Sequence, residues 1–381
     1  MQRQQKQYII EDLKKKMVFL TGPRQVGKTW LAKDIAQSFD RSVYLDYDSA
    51  EHRDIIKKEA WLEDTRLLIL DELHKMKGWK NYLKGVYDTK PGGMMILVTG
   101  SARLEAFRQG GDSLAGRFFR HRLLPFSPAE AAHIGMAVDH ERFLTRGGFP
   151  EPLLADTGAD ADRWRMQYTD GLVRTDILDF ERIHDLKAIQ LVFDLLRSRT
   201  GTPVSYQSIS EDAGVSPNTV KKYIQILESL FIVFRVMPYS KNVARSILKM
   251  PKLYFYDTGL VNGDEGARFE NMVALCLLKH VYGRVDLLGR NDFLNYIRTK
   301  DGAEIDFCLV EDNRPVMLID AKRSEVRPER ALVNFCRRYD IPAIQLVLHL
   351  KQERMDRGVK IRRGMSFLES LQIKKDSPSF L

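Results

Sequence analysis

Between an apolar run, MVFLT at 17 to 21, and a helix-like run from Trp30 to Phe39, the chain reads Gly22-Pro23-Arg24-Gln25-Val26-Gly27-Lys28-Thr29. This satisfies the full G-x-x-x-x-G-K-[ST] pattern, in which glycines let backbone amides wrap a phosphate chain. The amides converge at the start of a helix whose dipole also favours anions. Lys28 is then placed to reach the β and γ phosphates of a nucleotide, and Thr29 to offer its hydroxyl to magnesium. The expected nucleotide contacts are Gly22, Pro23, Arg24, Gln25, Val26, Gly27, Lys28, Thr29 and Trp30. A chance glycine turn is the competing reading, and the strand-loop-helix context argues against it.

Hydrolysis needs a carboxylate at the end of a neighbouring strand to organise the metal, and another to polarise water. The run LLILDE, 67 to 72, supplies both: Asp71 is the expected metal-organising residue and Glu72 the expected general base. The alternative is a helix start with favourable charges. A further run, MMILVTGSARLEAF, reads as a buried strand ending in Thr99 and Ser101, either of which could sense the γ phosphate or simply cap a helix. Downstream, GDSLAGRFFRHRLLPFSPAE carries Arg117 and Arg120. An arginine offered to a neighbour's phosphates accelerates hydrolysis by roughly 10³ to 10⁵, and Arg117 is the preferred candidate, with a surface arginine as the default.

The elements that must position these residues are strands near 17–21, 43–46, 67–71, 94–99 and 121–125, separated by helical stretches. They predict an α/β fold with a doubly wound parallel sheet over the first 130 residues. No Asn-Lys-x-Asp element follows the glycine loop, which favours ATP over GTP.

Residues 129 to 200 have helical spacing, broken at Gly147-Gly148-Phe149-Pro150 and at DTGADAD, and read as a helical lid or linker. Arg174 and Asp176 within it could contact a neighbour's nucleotide. Next, SYQSISEDAGVSPNTVKKYIQILESL carries Ser205 as a helix cap, Gly214 in a turn, and Ser216-Pro217 as cap and first position of a second helix. Val220, Ile224 and Leu227 face inward on that helix, while Asn218, Lys221, Lys222 and Gln225 face out. This predicts a winged helix-turn-helix with FIVFRVMPY as wing. The outward side chains suit DNA, and a protein-protein spacer is the alternative.

Further on, Glu270 sits in a helix, Asp306 begins a strand after a Lys-Asp-Gly turn, and Asp320-Ala-Lys322 alternates on the next strand so that Asp320 and Lys322 share a face. Acidic oxygens so placed suit magnesium or manganese, and the lysine can orient an attacking water. This is the pattern of the PD-(D/E)xK nuclease fold, which also persists as a mere binding platform.

The 381 residues suffice for two or three domains, and 44% hydrophobic with 29% charged residues is ordinary for a globular chain. No apolar stretch is long enough to cross a bilayer, and MQRQQKQYIIEDLKKK lacks the core of a secretory signal, so a cytoplasmic location is expected. Cys276, Cys308 and Cys336 lie far apart without zinc-site spacing and are expected to be small core residues. A net charge of +9, concentrated at Lys14 to Lys16, at Lys322 to Arg338 and in KQERMDRGVKIRR, favours polyanionic partners.

Taken together, GPRQVGKT, LILDELHKMKGWKNYLKGVYD, VTGSARLEAF, SLAGR, GGFPE, KLYFYDTGL, FEN, and RTKDGAEIDF followed by IDAK resemble prokaryotic AAA-type ATPases of the AAA_14/DUF4143 family, and the matches run through nearly the whole chain. The resemblance implies ATP and magnesium at Lys28, Thr29, Asp71 and Glu72. It also implies a homo-oligomer, with a hexameric ring as the form considered, and a restriction-endonuclease-like last domain. Asp320 stands where family members often carry glutamate, a ligand longer by one methylene. The expected division is an ATPase domain at 1–130, a helical connector at 131–200, a winged helix at 201–250 and the nuclease-like domain at 251–381. Three functions are compatible with these residues: an ATP-driven motor on DNA, branched DNA included; an ATP-gated, metal-dependent endonuclease cutting at Asp306, Asp320 and Lys322; and a nucleotide switch that controls assembly.

Overall fold

The computed structural model describes residues 3–100, 114–136, 139–172, 185–240, 250–299 and 302–373. The chain divides into two compact units, Met1–Leu124 and Pro125–Leu381.

The first unit begins with helix α1 (Lys6–Leu13) and strand β1 (Met17–Thr21), followed by α2 (Lys28–Ala36), β2 (Ser42–Asp46), α3 (Ala50–Lys58), β3 (Leu67–Asp71), α4 (Trp79–Thr89), β4 (Met95–Thr99) and β5 (Phe118–Arg122). All strand pairings are parallel, in the order β2-β3-β4-β1-β5. β1 and β3 are buried at every residue, as apolar strands covered on both faces must be. Strand β4 lies between β1 and β3, so the ends of β1, β3 and β4 stand side by side, with Leu20 opposite Thr99 and Thr99 opposite Asp71.

Four of the five strands fall where the apolar runs predict. The last does not: it occupies 118–122, FFRHR, not 121–125. Its register against β1 runs from Met17↔Phe118 to Thr21↔Arg122. The more apolar RLLPF misleads because Pro125 has no N–H for a ladder. Leu123 and Leu124 are fully buried all the same, as irregular chain leaving the sheet.

The second unit opens with short helices α5 (Pro128–His133), α6 (His140–Arg146) and α7 (Pro150–Leu154), then α8 (Gly158–Gly171) and α9 (Leu186–Ser198). Helices α10 (Tyr206–Ala213) and α11 (Pro217–Ser229) follow, then β6 (Val233–Pro238), β7 (Lys252–Phe255) and the long α12 (Glu265–Leu288). The remainder is β8 (Asp292–Arg298), β9 (Glu304–Glu311), β10 (Arg314–Ser324), α13 (Arg330–Tyr339), β11 (Ala343–His349), β12 (Arg354–Asp356), β13 (Val359–Arg363) and α14 (Gly364–Ser370).

These strands form one mixed sheet, β12-β13-β11-β10-β9-β8-β6-β7. β8, β9 and β10 are an antiparallel meander, and β11 returns parallel to β10 after α13. β6 pairs antiparallel with β7 and, at Met237 and Pro238, parallel with β8. The strand behind the helix-turn-helix is thereby a member of the C-terminal sheet, and the sequence division at 250 falls between two hydrogen-bonded strands.

Candidate active site

The glycine loop joins β1 to α2. Gly22 has φ 148°, and a Cβ there would lie 2.1 Å from the carbonyl oxygen of Leu123, so the chain leaving β5 closes on a position that only glycine fits. Gln25 and Gly27 have φ of 56° and 96°, turning the loop back on itself. Gly27 is the N-cap of α2 and brings no side chain to compete for the amides of the first turn. Lys28 is buried, and its Nζ donates to the carbonyls of Gly22 at 3.0 Å and Pro23 at 2.5 Å, inside the curl of the loop. Burial lowers its pKa to about 8, against the opposing pull of Glu72 and Asp71. Such a lysine gains from an anion brought to it. Trp30, the other expected contact here, is 44% exposed.

Asp71, at the end of β3, is the hub. Thr29 Oγ1 donates to its Oδ2 at 2.7 Å, Tyr44 OH to the same oxygen at 2.8 Å, and the backbone amide of Glu72 to Oδ1 at 3.0 Å. The Thr99 hydroxyl also donates to Oδ1. Three strands and the first turn of α2 therefore converge on one buried carboxylate. Tyr44 is the residue sequence reasoning missed; its position two before the end of β2, on the same face as Asp71, was the available signal. Burial, reinforced by the Asp71 charge, pushes the Tyr44 phenol above its ordinary value, so it remains a donor.

Glu72 follows in the left-handed region, φ 53°, a conformation costly for glutamate. Its backbone N–H donates a hydrogen bond to the Thr99 carbonyl at 3.1 Å, which holds it there. The carboxylate lies 3.4 Å from Lys75 Nζ and 3.7 Å from His74 Nε2. Burial raises its pKa from the ordinary glutamate value, with Lys75 and Lys28 opposing. A hydroxyl beside a buried carboxylate, an uncapped helix start and a buried lysine fit a nucleotide with its magnesium.

Arg117 immediately precedes β5, where the strands begin, whereas the glycine loop follows the ends of the strands. It binds Asp88 of α4 through two bonds, of 2.9 and 3.0 Å. The structure does not bring it to the glycine loop of its own chain. Ser101, Arg174 and Asp176 lie outside the described residues.

The helix-turn-helix is formed by α10 and α11. Ser205 and Ser216 cap the two helices, and Gly214 turns between them at φ 66°. Val220, Ile224 and Leu227 are fully buried. Asn218, Lys221, Lys222 and Gln225 lie on the exposed face.

In the C-terminal sheet, Glu270, Asp306, Asp320 and Lys322 do come together. The Asp306 amide points at Asp320 Oδ1, 3.4 Å away, and the Ala321 amide donates to Asp306 Oδ2 at 3.1 Å. Lys322 Nζ lies 3.1 Å from Asp320 Oδ2 and 2.9 Å from Glu329. The centre also contains a cation that the sequence alone did not single out. Lys252, the first residue of β7 and only 2% exposed, places Nζ 3.2 Å from Asp306, 3.6 Å from Glu270 and 3.6 Å from Glu304. Tyr254, two residues on, donates to Glu270 at 2.8 Å. Among the described residues, no group of three or more His, Cys, Asp and Glu side chains has the geometry to hold a metal ion. The expected ion at these carboxylates thus meets a different arrangement, in which an ammonium is already among them.

Comparison with known proteins agrees with the two-part architecture. Residues 14–132 match an AAA domain family, AAA_14, and residues 265–365 match a domain of unknown function, DUF4143. The chain carries an AAA_14 domain and a DUF4143 domain. The part of this AAA_14/DUF4143 protein between them, 138–267, matches another domain of unknown function, DUF8612. Lys252 and Tyr254 therefore come from one matched segment, and Glu270, Asp306 and Asp320 from the next. Among relatives, an uncharacterized protein of Mycobacterium tuberculosis is 24% identical over 314 residues, 78% of this chain and 68% of its own length. Another, of Haemophilus influenzae, is 23% identical over 362 residues, 80% of this chain and 89% of its own length. A third, of Methanocaldococcus jannaschii, is 22% identical over 355 residues, 83% and 77% of the two chains. Among solved structures, the Walker-type ATPase of Pyrococcus abyssi aligns with a TM-score of 0.44 and 13% identity over 68% of this chain and 93% of that one. The AAA domain match over 14–132, which contains the glycine loop and Asp71, makes the protein an ATPase with a P-loop fold. Among its described residues no helix is long and apolar enough to cross a membrane.

Proposed function

We propose that the protein is an oligomeric motor that hydrolyses Mg-ATP and acts on DNA, branched DNA included. The observation that carries the hydrolytic part is the convergence of Thr29, Tyr44 and Thr99 on Asp71, with Glu72 next to it. In this reading Lys28 and the loop amides hold the triphosphate, and Thr29, oriented by Asp71, faces the magnesium. Magnesium bound with the nucleotide neutralises charge on the β and γ phosphates. Glu72 orients and deprotonates the attacking water, a task that its burial-raised pKa suits. Arg117 acts in trans from a neighbouring copy, which its position away from its own loop supports, and which requires it to leave Asp88.

The DNA part rests on the exposed Asn218, Lys221, Lys222 and Gln225 of a capped helix-turn-helix, read as a winged helix, in a chain of net charge +9. The deciding experiment is ATP turnover measured with single-stranded, duplex and four-way-junction DNA. Stimulation that vanishes in Lys28→Ala supports the motor. Turnover indifferent to every DNA would favour a nucleotide switch that controls assembly.

A further inference from the structure

Outside the ATP site, the C-terminal sheet gathers Glu270, Glu304, Asp306 and Asp320 around two lysines, and the chemistry of this centre turns on which cation balances it. A buried carboxylate must be paired, and buried Asp320 clustered with half-buried Glu270, Glu304 and Asp306 needs either a divalent ion or resident ammonium groups. We infer that the ammonium of Lys252 is the resident cation of this centre, closing it so that Glu270, Glu304, Asp306 and Asp320 take no divalent ion and the nuclease-like sheet does not cut.

Three observations carry this. The first is position: Nζ is within 4 Å of three carboxylates at once, with the face of the Tyr296 ring 5.5 Å away on another side. The second is anchoring. Lys252 is at the root of β7, opposite Val236 of β6 and bridged to Pro203, so its stem is fixed by a ladder on both sides. It is almost completely buried, which leaves the ammonium no path to solvent. The third is that oxygens around it are already engaged. Asp306 Oδ2 accepts from the Ala321 amide, Glu270 Oε1 from Tyr254, and Glu304 Oε1 lies 3.4 Å from Arg298. The backbone at Gly201 packs so closely over Glu270 that a Cβ would come within 2.7 Å of Oε1.

One oxygen runs against this pattern. Asp320 Oδ2 is buried with no aligned hydrogen-bond donor, and it is the atom a divalent ion would claim. The charge that answers it is Lys322, at 3.1 Å. An ion placed between Asp320 and Asp306 would stand against the ammonium groups of Lys322 and Lys252, each of which already pairs with one of those two carboxylates.

The inference stands apart from the motor reading and is tested without nucleotide or DNA. Electron paramagnetic resonance of Mn2+ added to the full nucleotide-free chain should show no bound ion that disappears on Asp320→Asn. Lys252→Ala should create such a site, tightening Mn2+ binding by on the order of tenfold or more, because it leaves the same carboxylates short of a cation. A wild-type Mn2+ signal lost in Asp320→Asn overturns the inference. So does a folded Lys252→Ala chain that gains no ion. Should Lys252→Ala fold only when Mn2+ is present, the gain is demonstrated directly, and should it not fold at all, the wild-type comparison decides alone.

Discussion

Thr29 and Asp71 come from the first turn of a helix and the end of a strand two positions away in the sheet, and their side chains meet at 2.7 Å. The hydroxyl that should face magnesium is thus aimed by the carboxylate that should organise it. Removing the parts of this arrangement separately must give separable defects. Lys28→Ala should abolish nucleotide binding. Glu72→Gln should keep it while lowering kcat about 10²- to 10⁴-fold, the usual contribution of a general base. Fluorescent-nucleotide titration beside steady-state turnover distinguishes the two.

Tyr44→Phe deletes one of the donors to Asp71 and nothing else of comparable size. A hydrogen bond to a charged acceptor contributes about 1.5–3 kcal/mol, so kcat should fall by roughly tenfold or more. The loss should be accompanied by a higher magnesium requirement, read by titrating Mg2+ at fixed ATP. Unchanged kinetics would mean that Tyr44 only fills space.

Lys221→Ala with Lys222→Ala should weaken DNA binding on every sequence alike. Each phosphate contact removed lowers the slope of log affinity against log salt by about 0.9, so the double variant should lose up to roughly twice that. Fluorescence anisotropy over a salt series measures it. An unchanged slope would assign α11 to protein contacts.

Gly22→Ala and Gly27→Ala should behave differently although both lie in the loop. At Gly22 the new methyl meets the Leu123 carbonyl at 2.1 Å, a backbone atom that cannot yield cheaply. At Gly27 nothing lies within 4 Å, and only the positive φ of 96° is strained. Denaturant titration should show a cost of about 1–3 kcal/mol for Gly27→Ala and a larger one for Gly22→Ala.

Cys276 and Cys308 are buried, and burial pushes each thiol from near 9 up to about 12. At pH 8 only about one molecule in ten thousand carries either thiolate, so a thiol reagent should label half-buried Cys336 first and the other two only on unfolding. The native state holds these two protons more tightly than the unfolded chain. Their contribution to stability is therefore complete below pH 9 and declines as pH rises from 9 towards 12. Melts at pH 8 and pH 10.5 of the wild type and of Cys276→Ala should show the smaller alkaline loss in the variant.

Much of this was legible because the chemistry is local in sequence. GPRQVGKT, LLILDE and the two capped helices carry their own strand, loop or helix signals within a few residues. What was illegible depends on partners brought from far away. Tyr44 looks like an ordinary strand aromatic until β2 is laid beside β3. Lys252 looks like a surface lysine until β7 joins a sheet that brings Asp306, 54 positions further on, beside it. The i, i+2 spacing of Lys252 and Tyr254, which puts both on one face, was the only local hint. β5 was displaced because apolarity alone ranks RLLPF above FFRHR, whereas an edge strand of a parallel sheet needs only one good face.

Strand β6 is hydrogen-bonded on one side to β7 and on the other to β8. Tension on helix α11, which enters β6 after a turn at Phe231, would therefore pass into the sheet as shear along the β6–β7 row of hydrogen bonds. Strands resist that direction of pulling far better than unzipping one bond at a time, so a partner held by α11, as proposed above, would be tied to the sheet and not to a hinge.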